Sequence, residues 1–291
     1  MRCMPAEKAF LGLDPKDAVT YEDARAVIIP FGLENSVTYG GGTAQGPAAI
    51  IRASHEVELF DEHLWCEPFR QLGIVTLEEP SIENEIPKAL QQLEKIVKQV
   101  LDDQKFPFVL GGEHSITIGA IRPFLKKYDN LILLHFDAHA DLRNGYHGEH
   151  YSHASAIRRC LDQANLKVVS VGIRNISAEE IPFVEENRER IRIYWGKDKK
   201  KWDIDEIVSH LKDLPIYLTF DVDGFDSSVM PATGTPEPGG LFWQDVIEII
   251  TAASQVGTIV GADINELAPI PYFNSCDLLV AKLTYKILSL I

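Results

Sequence analysis

The chain has 291 residues, of which 45% are hydrophobic and 24% charged, and this balance is ordinary for a globular protein that buries a core without disulfides. Its 43 acidic and 28 basic residues give a net charge of −15, which argues against nucleic acid or an anionic membrane as a main partner and is compatible with a cationic one. The N-terminal MRCMPAEKAF has no signal-peptide pattern and no 18-residue apolar span occurs, so we predict a cytoplasmic protein. The four cysteines are scattered without a CxxC pair and are expected to be reduced.

Strand-like and helix-like segments alternate along most of the chain. Residues 1–23 are polar and are predicted to form a surface arm before a single domain over residues 24–291. Short apolar, β-rich runs predict strands at residues 24–31, 71–77, 106–110, 131–136, 167–173, 191–195, 216–220 and 258–262. Apolar residues at helical spacing predict helices at residues 47–54, 82–102, 116–127, 152–164, 177–188, 203–212, 242–255 and 276–290. The alternation indicates one α/β domain with a parallel sheet, either open or closed into a barrel, and in both cases ligands bind at the carboxyl ends of the strands.

A glycine-rich loop, YGGGTAQG, follows the first predicted strand. No strand leads directly into a GxGxxG or GKS pattern, so this loop is not predicted to cradle a phosphate. It is either a plain strand-to-helix connection or a wall of a ligand pocket, with Tyr39, Gly41 and Gly42 as candidate contacts, and the role of residues 40–46 stays open.

Polar side chains directly follow four of the predicted strands. In LILLHFDAHAD, residues Asp137, His139 and Asp141 are two apart, so an extended backbone projects all three from one face. Asp221 and Asp223 show the same spacing in LTFDVDGFD. Two further candidates, His114 and Glu266, follow the third and eighth strands. Carboxylates together with imidazoles are typical ligands of divalent metals such as Mn, Fe, Ni or Zn.

Each of these residues also has an ordinary structural interpretation. A lone Asp after a strand is usually a turn or helix-capping residue, and we expect this of Asp226. His114 taken alone could be a packed core histidine. His135, which either faces opposite to the ligand pair or packs beneath it, is given no chemical role. The metal interpretation depends on the DxHxD and DxD patterns occurring together.

Six candidate ligands are too many for one catalytic zinc, which uses three protein ligands and a water. Two divalent ions roughly 3.5–4 Å apart, with bridging carboxylates and a bridging hydroxide, account for them. The residues alone therefore predict a dinuclear metallohydrolase and leave its substrate open.

Six sequence motifs point to a substrate class. Their order and spacing resemble those of the ureohydrolase family, which contains the arginases and agmatinases, and the resemblance is strongest to bacterial and archaeal agmatinases. They are GGEHS (111–115), FDAHADLR (136–143), SHAS (152–155), FDVDGFD (220–226), GTPEPGG (234–240) and DINELAP (263–269). The resemblance implies an arginase-like fold, a three-layer α/β/α sandwich with a mainly parallel sheet. It also implies a small guanidinium substrate, urea as one product and assembly as a homotrimer or homohexamer.

The resemblance further implies two Mn²⁺ per subunit, with Ni, Fe or Zn as alternatives. The first ion would be held by His114, Asp137, Asp141 and Asp221, and the second by Asp137, His139, Asp221 and Asp223. Asp141 would also orient the hydroxide, and Glu266 would pair with the planar guanidinium. His153 would contact the substrate and pass a proton to the leaving amine.

Two departures from the arginases bear on the substrate. Arg143 replaces an Asn that helps to hold the α-amino and α-carboxylate groups of arginine, and 172–180 reads GIRNISAEE instead of an RDVDPGE-like segment. A substrate without an α-carboxylate fits better, so agmatine, cleaved to putrescine and urea, is expected. Aminopropylagmatine, guanidinobutyrate, guanidine, formiminoglutamate and arginine are alternatives, as is a non-catalytic metal-binding assembly protein. Glu149 is a candidate partner for a distal ammonium, whereas the roles of His147 and His150 stay open.

Overall fold

Eight parallel strands form one open sheet in the computed structural model, which describes residues 1–291. The strands are β1 (Ala26–Phe31), β2 (Ile74–Thr76), β3 (Phe106–Gly111), β4 (Ile132–Phe136), β5 (Lys167–Ile173), β6 (Ile191–Trp195), β7 (Pro215–Asp221) and β8 (Thr258–Asn265). Their order across the sheet is β2-β1-β3-β8-β7-β4-β5-β6, and every neighbouring pair is parallel. The closed barrel that periodicity left open is therefore excluded.

Helices cover both faces of this sheet. They are α1 (Gly46–Ser54), α2 (Pro68–Leu72), α3 (Ile86–Asp102), α4 (Ile116–Lys127), α5 (Ala156–Cys160), α6 (Ile181–Glu186), α7 (Ile204–Ser209), α8 (Trp243–Val256) and α9 (Ser275–Leu288). Alternate residues of β4 face different cores: Leu134 packs with α1, α7, α8 and α9, whereas Leu133 packs with α3, α4 and α5. This confirms the predicted three-layer α/β/α sandwich. None of the helices combines the length and apolar character needed to cross a membrane.

Two predicted elements differ from the observed ones. The strand predicted at residues 71–77 begins only at Ile74, because the short helix α2 occupies Pro68–Leu72 and Gly73 turns the chain with a φ of +58°. The helix predicted at residues 152–164 is a 3-10 turn over His153–Ser155 followed by the short helix α5. In both segments the apolar pattern that predicted the element continues past the residues that pack against the sheet, so the predicted element was too long.

The N-terminal residues lie along the sheet edge. The backbone N–H of Met4 donates to Thr76 O at 2.8 Å, and that of Phe10 donates to Thr76 Oγ1 at 3.0 Å. The side chains of Phe10, Leu11 and Leu13 are buried in the core beside α1. The segment predicted as a surface arm is thus mostly exposed, but its central residues 10–13 are anchored in the core. The polar composition of the segment did not indicate this anchoring.

The topology brings four strands together at the centre of the sheet. These strands, in spatial order β3, β8, β7 and β4, are direct neighbours although they are far apart in the sequence. Their carboxyl ends meet at one edge, where the polar clusters follow. The last strand of the chain, β8, therefore lies between β3 and β7.

Candidate metal centre

The side chain of His114 faces three carboxylates at the carboxyl edge of the central strands. Its Nδ1 is 3.1 Å from Asp137 Oδ2, 3.1 Å from Asp141 Oδ2 and 3.4 Å from Asp221 Oδ2. This Nδ1 is buried and makes no hydrogen bond. A buried, unpaired nitrogen surrounded by carboxylate oxygens is the donor set expected of a divalent cation site.

A second group of ligands lies beside the first and shares one carboxylate with it. His139 Nδ1 is 2.9 Å from Asp223 Oδ2 and 3.6 Å from Asp137 Oδ1. Asp137 thus presents Oδ2 to His114 and Oδ1 to His139, as a bridging carboxylate does. Asp221 presents Oδ2 to the first group, and its Oδ1 accepts the backbone N–H of Asp223, a residue of the second group, at 2.9 Å.

The local backbone holds these carboxylates in place. Asp141 has a left-handed conformation with a φ of +52°, which is uncommon for a residue other than glycine. The backbone N–H of Ala138 donates to Asp223 Oδ1 at 3.0 Å, and that of His139 donates to Asp137 Oδ1 at 2.5 Å. The DxHxD segment therefore both supplies candidate ligands and orients them through its own amides.

Electrostatics favour cations in this cluster. Burial raises the pKa of Asp221 well above its ordinary value, and the charges of Asp223 and Asp137 raise it further. Burial, followed by the charge of Asp137, raises the pKa of Asp141 to about 7. Burial opposes protonation of His114, but the three carboxylates that face its Nδ1 hold its pKa well above the ordinary value. Without positive charge the cluster cannot ionise fully at neutral pH.

Glu266 and His153 line the same cavity of about 170 Å³ as the candidate ligands His114, His139, Asp141, Asp221 and Asp223. Glu266 follows β8 with a left-handed φ of +65°, and its Oε1 accepts the backbone N–H of His114 at 2.7 Å. Burial raises the pKa of Glu266 well above its ordinary value. Burial, with the charges of His114 and His139, lowers the pKa of His153 to about 4.

Two residues that support this cluster were missed by the sequence analysis. His135 Nε2 lies 2.8 Å from Asp137 Oδ2, directly beneath the shared carboxylate. The Arg174 guanidinium donates to backbone carbonyls of Asp223 at 2.7 Å, of Phe225 at 3.0 Å and of Glu237 at 2.9 Å. The sequence analysis left open whether His135 packs beneath the ligand pair and gave it no chemical role, and nothing in the sequence identified the carbonyls that surround Arg174.

Other predicted residues lie outside the cavity. Glu149 is in a turn where its Oε1 accepts the N–H of Tyr151 at 2.8 Å, and its assignment as a substrate contact stays a prediction. His150 accepts a hydrogen bond from the Arg159 guanidinium, and Asp226, as expected, is a turn residue that accepts the N–H of Gly239 at 2.7 Å.

The glycine-rich loop contributes only part of its predicted surface to the cavity. Tyr39 and Gly40 line the cavity. Gly41 and Gly42 do not line it, and the Gly42 N–H donates to Glu34 Oε1 at 3.0 Å.

Comparisons with known proteins agree with this geometry. The model of the arginase family matches residues 24–289. The chain belongs to the arginase family. It is 32% identical over 287 residues to N(1)-aminopropylagmatine ureohydrolase of Synechocystis, covering 95% of this chain and 92% of that protein. It is 32% identical to agmatinase of Bacillus cereus, covering 90% of this chain and 89% of that protein.

A solved structure supports the same relationship. The agmatine ureohydrolase of Thermoplasma volcanium superposes with a TM-score of 0.86 at 31% identity, covering 97% of this chain and 94% of that one. The arginase family consists of binuclear metal enzymes, and this member has two groups of candidate ligands that share Asp137.

Proposed function

We propose that this arginase-family ureohydrolase hydrolyses agmatine to putrescine and urea with two divalent metal ions. The observation that carries the proposal is the position of Asp137, whose two oxygens face one histidine each, with further carboxylates beside both. A shared carboxylate between two ligand groups is the arrangement that a two-metal hydrolase requires. The names of the Bacillus cereus and Thermoplasma volcanium relatives support agmatine.

The residues divide into two ligand sets and a substrate-facing set. His114, Asp137, Asp141 and Asp221 would hold one ion, and Asp137, His139, Asp221 and Asp223 would hold the other. Manganese suits this mixture of carboxylates and imidazoles, as do Ni, Fe and Zn. When bound, such an ion pair lowers the pKa of a water so that hydroxide is available near neutral pH.

The remaining groups act on the substrate. Asp141 accepts a hydrogen bond from the nucleophile and orients it towards the central guanidinium carbon. The Glu266 carboxylate pairs with the planar guanidinium. His153 donates a proton to the leaving amine, because an amine leaves far more readily once its nitrogen is protonated.

Recognition of a free α-carboxylate is not supported by the cavity rim. Arg143 is the one cation that lines the rim beside Tyr146, and its guanidinium lies 4.9 Å from the centre of that ring. The same guanidinium is already paired with Glu179, with which an amino-acid carboxylate would have to compete. A substrate whose tail ends in an amine is therefore favoured over arginine. N(1)-aminopropylagmatine is a second candidate, supported by the Synechocystis relative.

A substrate panel tests the proposal. Protein reconstituted with Mn²⁺ is incubated with agmatine, N(1)-aminopropylagmatine, guanidinobutyrate, guanidine, formiminoglutamate or arginine. Urea and ammonia are measured, and formamide is measured for formiminoglutamate. We expect agmatine or its aminopropyl derivative to be cleaved best. Faster hydrolysis of arginine would overturn the substrate assignment, and bound metal without any hydrolysis would favour a non-catalytic assembly protein.

Organisation and assembly complete the proposal. Residues 24–291 form the single catalytic domain, and the chain assembles as a homotrimer or homohexamer. Sedimentation of the metal-loaded protein tests the assembly, and a monomer at micromolar concentration would contradict it.

A further inference from the structure

Ser36 lies in the loop after β1 and connects His153 to a buried carboxylate. Its Oγ is 3.1 Å from His153 Nδ1 and 2.9 Å from the backbone N of His153. The same Oγ is 2.9 Å from Glu113 Oε1. Glu113 is fully buried, and none of the proposed catalytic steps uses it.

The surroundings of Glu113 consist of hydrogen-bond donors. Its Oε2 accepts the backbone N–H groups of Asn35 and Ser36, each at 2.6 Å. Its Oε1 accepts the hydroxyl of Ser115 at 2.5 Å as well as that of Ser36. In all four contacts the carboxylate oxygens of Glu113 accept, so the Ser36 hydrogen points towards Glu113.

This arrangement determines which nitrogen of His153 carries the hydrogen. A serine hydroxyl has one hydrogen and two lone pairs, and the hydrogen is already directed to Glu113. One lone pair accepts the backbone N–H of His153. The other faces Nδ1, which must therefore carry a hydrogen to bond with it.

The second nitrogen of the ring faces another hydroxyl. Thr38 Oγ1 lies 2.6 Å from His153 Nε2, on the exposed loop at the mouth of the cavity. With the hydrogen on Nδ1, the Nε2 lone pair accepts from Thr38. Nε2 is then the atom of the ring that gains and releases a proton.

We propose that Ser36 and Glu113 are positioning residues that hold His153 as its Nδ1–H tautomer, so that it exchanges its catalytic proton at Nε2. This inference rests on the proposed function. A proton released by the water consumed in hydrolysis binds at Nε2 and gives the imidazolium. The Nε2–H bond then breaks as a new N–H bond forms on the leaving amine nitrogen, which also keeps the electron pair of the cleaved C–N bond. The neutral Nδ1–H imidazole is regenerated.

Kinetics of Ser36 variants test the positioning role. In Ser36→Ala we expect kcat to fall about 10- to 100-fold, because a misplaced His153 loses part of the rate that a general acid contributes. KM and metal content should stay nearly unchanged. Ser36→Thr keeps a hydroxyl and is expected to recover most of kcat. In a His153→Ala background, Ser36→Ala should have no further effect, because it acts through the imidazole. Equal losses in both backgrounds would overturn the proposal.

The tautomer can be measured without turnover. In protein loaded with diamagnetic Zn²⁺ and labelled with ¹⁵N-histidine, His153 is assigned by comparison with His153→Ala. At neutral pH we expect a pyrrole-type shift for Nδ1 and a pyridine-type shift for Nε2, and loss of this preference in Ser36→Ala. A hydrogen on Nε2 in the wild type would refute the inference even if substrate is cleaved. An Nδ1–H tautomer in a protein that cleaves no substrate would instead refute the proposed function alone.

Discussion

His135 Nε2 lies 2.8 Å from Asp137 Oδ2, so a buried histidine supports the carboxylate that the two candidate ligand groups share. Its other nitrogen is 3.0 Å from Ser170 Oγ, on the partner position of β5. Both ring nitrogens of His135 therefore have a partner, and the fixed imidazole orients the carboxylate of Asp137. Groups that orient ligands in this way usually tune metal affinity.

We predict that His135→Ala weakens metal binding about 10- to 100-fold, because Asp137 loses its fixed orientation. Titration of the metal-free protein with Mn²⁺ measures the affinity. His135→Gln offers an N–H near the position of Nε2 and is expected to recover part of the loss. Unchanged affinity in His135→Ala would show that Asp137 is oriented without this contact.

Asp223→Ala is expected to remove the second metal ion and at least 99% of the activity, roughly two orders of magnitude, because His139 then faces only the shared Asp137. Metal analysis after gel filtration gives the number of ions per chain. Asp226→Ala is the matched control, since Asp226 lies in the same FDVDGFD motif but holds a turn through Gly239. Two bound ions and full activity in Asp223→Ala would contradict the ligand assignment.

Arg174→Lys is expected to lower the free energy of unfolding by about 2–3 kcal/mol, because a lysine cannot reach the carbonyls of Asp223, Phe225 and Glu237 together. Urea denaturation measures this change, and metal content should fall in parallel because Asp223 is displaced. Arg192→Lys, at an exposed position of β6, is the control and should change stability by no more than about 0.5 kcal/mol. Equal stability of the two variants would show that Arg174 does not organise the site.

The sequence was sufficient for the parts of the site that follow local rules. The spacing by two after an apolar run indicated that Asp137, His139 and Asp141 belong together, but β4 ends at Phe136 and Asp141 has a φ of +52°, so strand alternation alone does not place them. The order of the strands, and hence the meeting of His114 with Asp221, depends on pairings between distant segments that no local pattern encodes. Arg174 was missed for the same reason, since its partners are backbone carbonyls of a loop about 50–65 residues later.

A buried ion pair joins the loop before α2 to α9. Lys286 Nζ is 2.6 Å from Asp61 Oδ2, and both side chains are more than 90% buried. We predict that Lys286→Met costs about 3–5 kcal/mol of stability at neutral pH, because it leaves a buried charge without its partner. Asp61→Asn combined with Lys286→Met should recover part of this loss in urea denaturation. A double variant less stable than the single one would contradict this explanation.

The same pair predicts a pH dependence of stability. Burial tends to raise the pKa of Asp61, but the hydrogen bonds from Lys286 and the N–H of Leu64 outweigh it and lower the pKa below 3.8. Because the pKa is lower in the folded state, the stabilisation is complete above the unfolded pKa and disappears as pH falls through the folded one. The stability difference between wild type and Asp61→Asn should therefore be constant between about pH 5 and 7 and shrink below about pH 4. A difference that grows on acidification would contradict the assignment.

The position of β8 between β3 and β7 determines when the site can form during synthesis. His114 belongs to the half of the sheet that contains β1 to β3, whereas Asp137 and Asp221 belong to the half that contains β4 to β7. Only β8, the last strand of the chain, joins the two halves. A growing chain that ends before residue 258 lacks the strand that joins the two halves of the sheet, so we expect high-affinity metal capture only once β8 has been made.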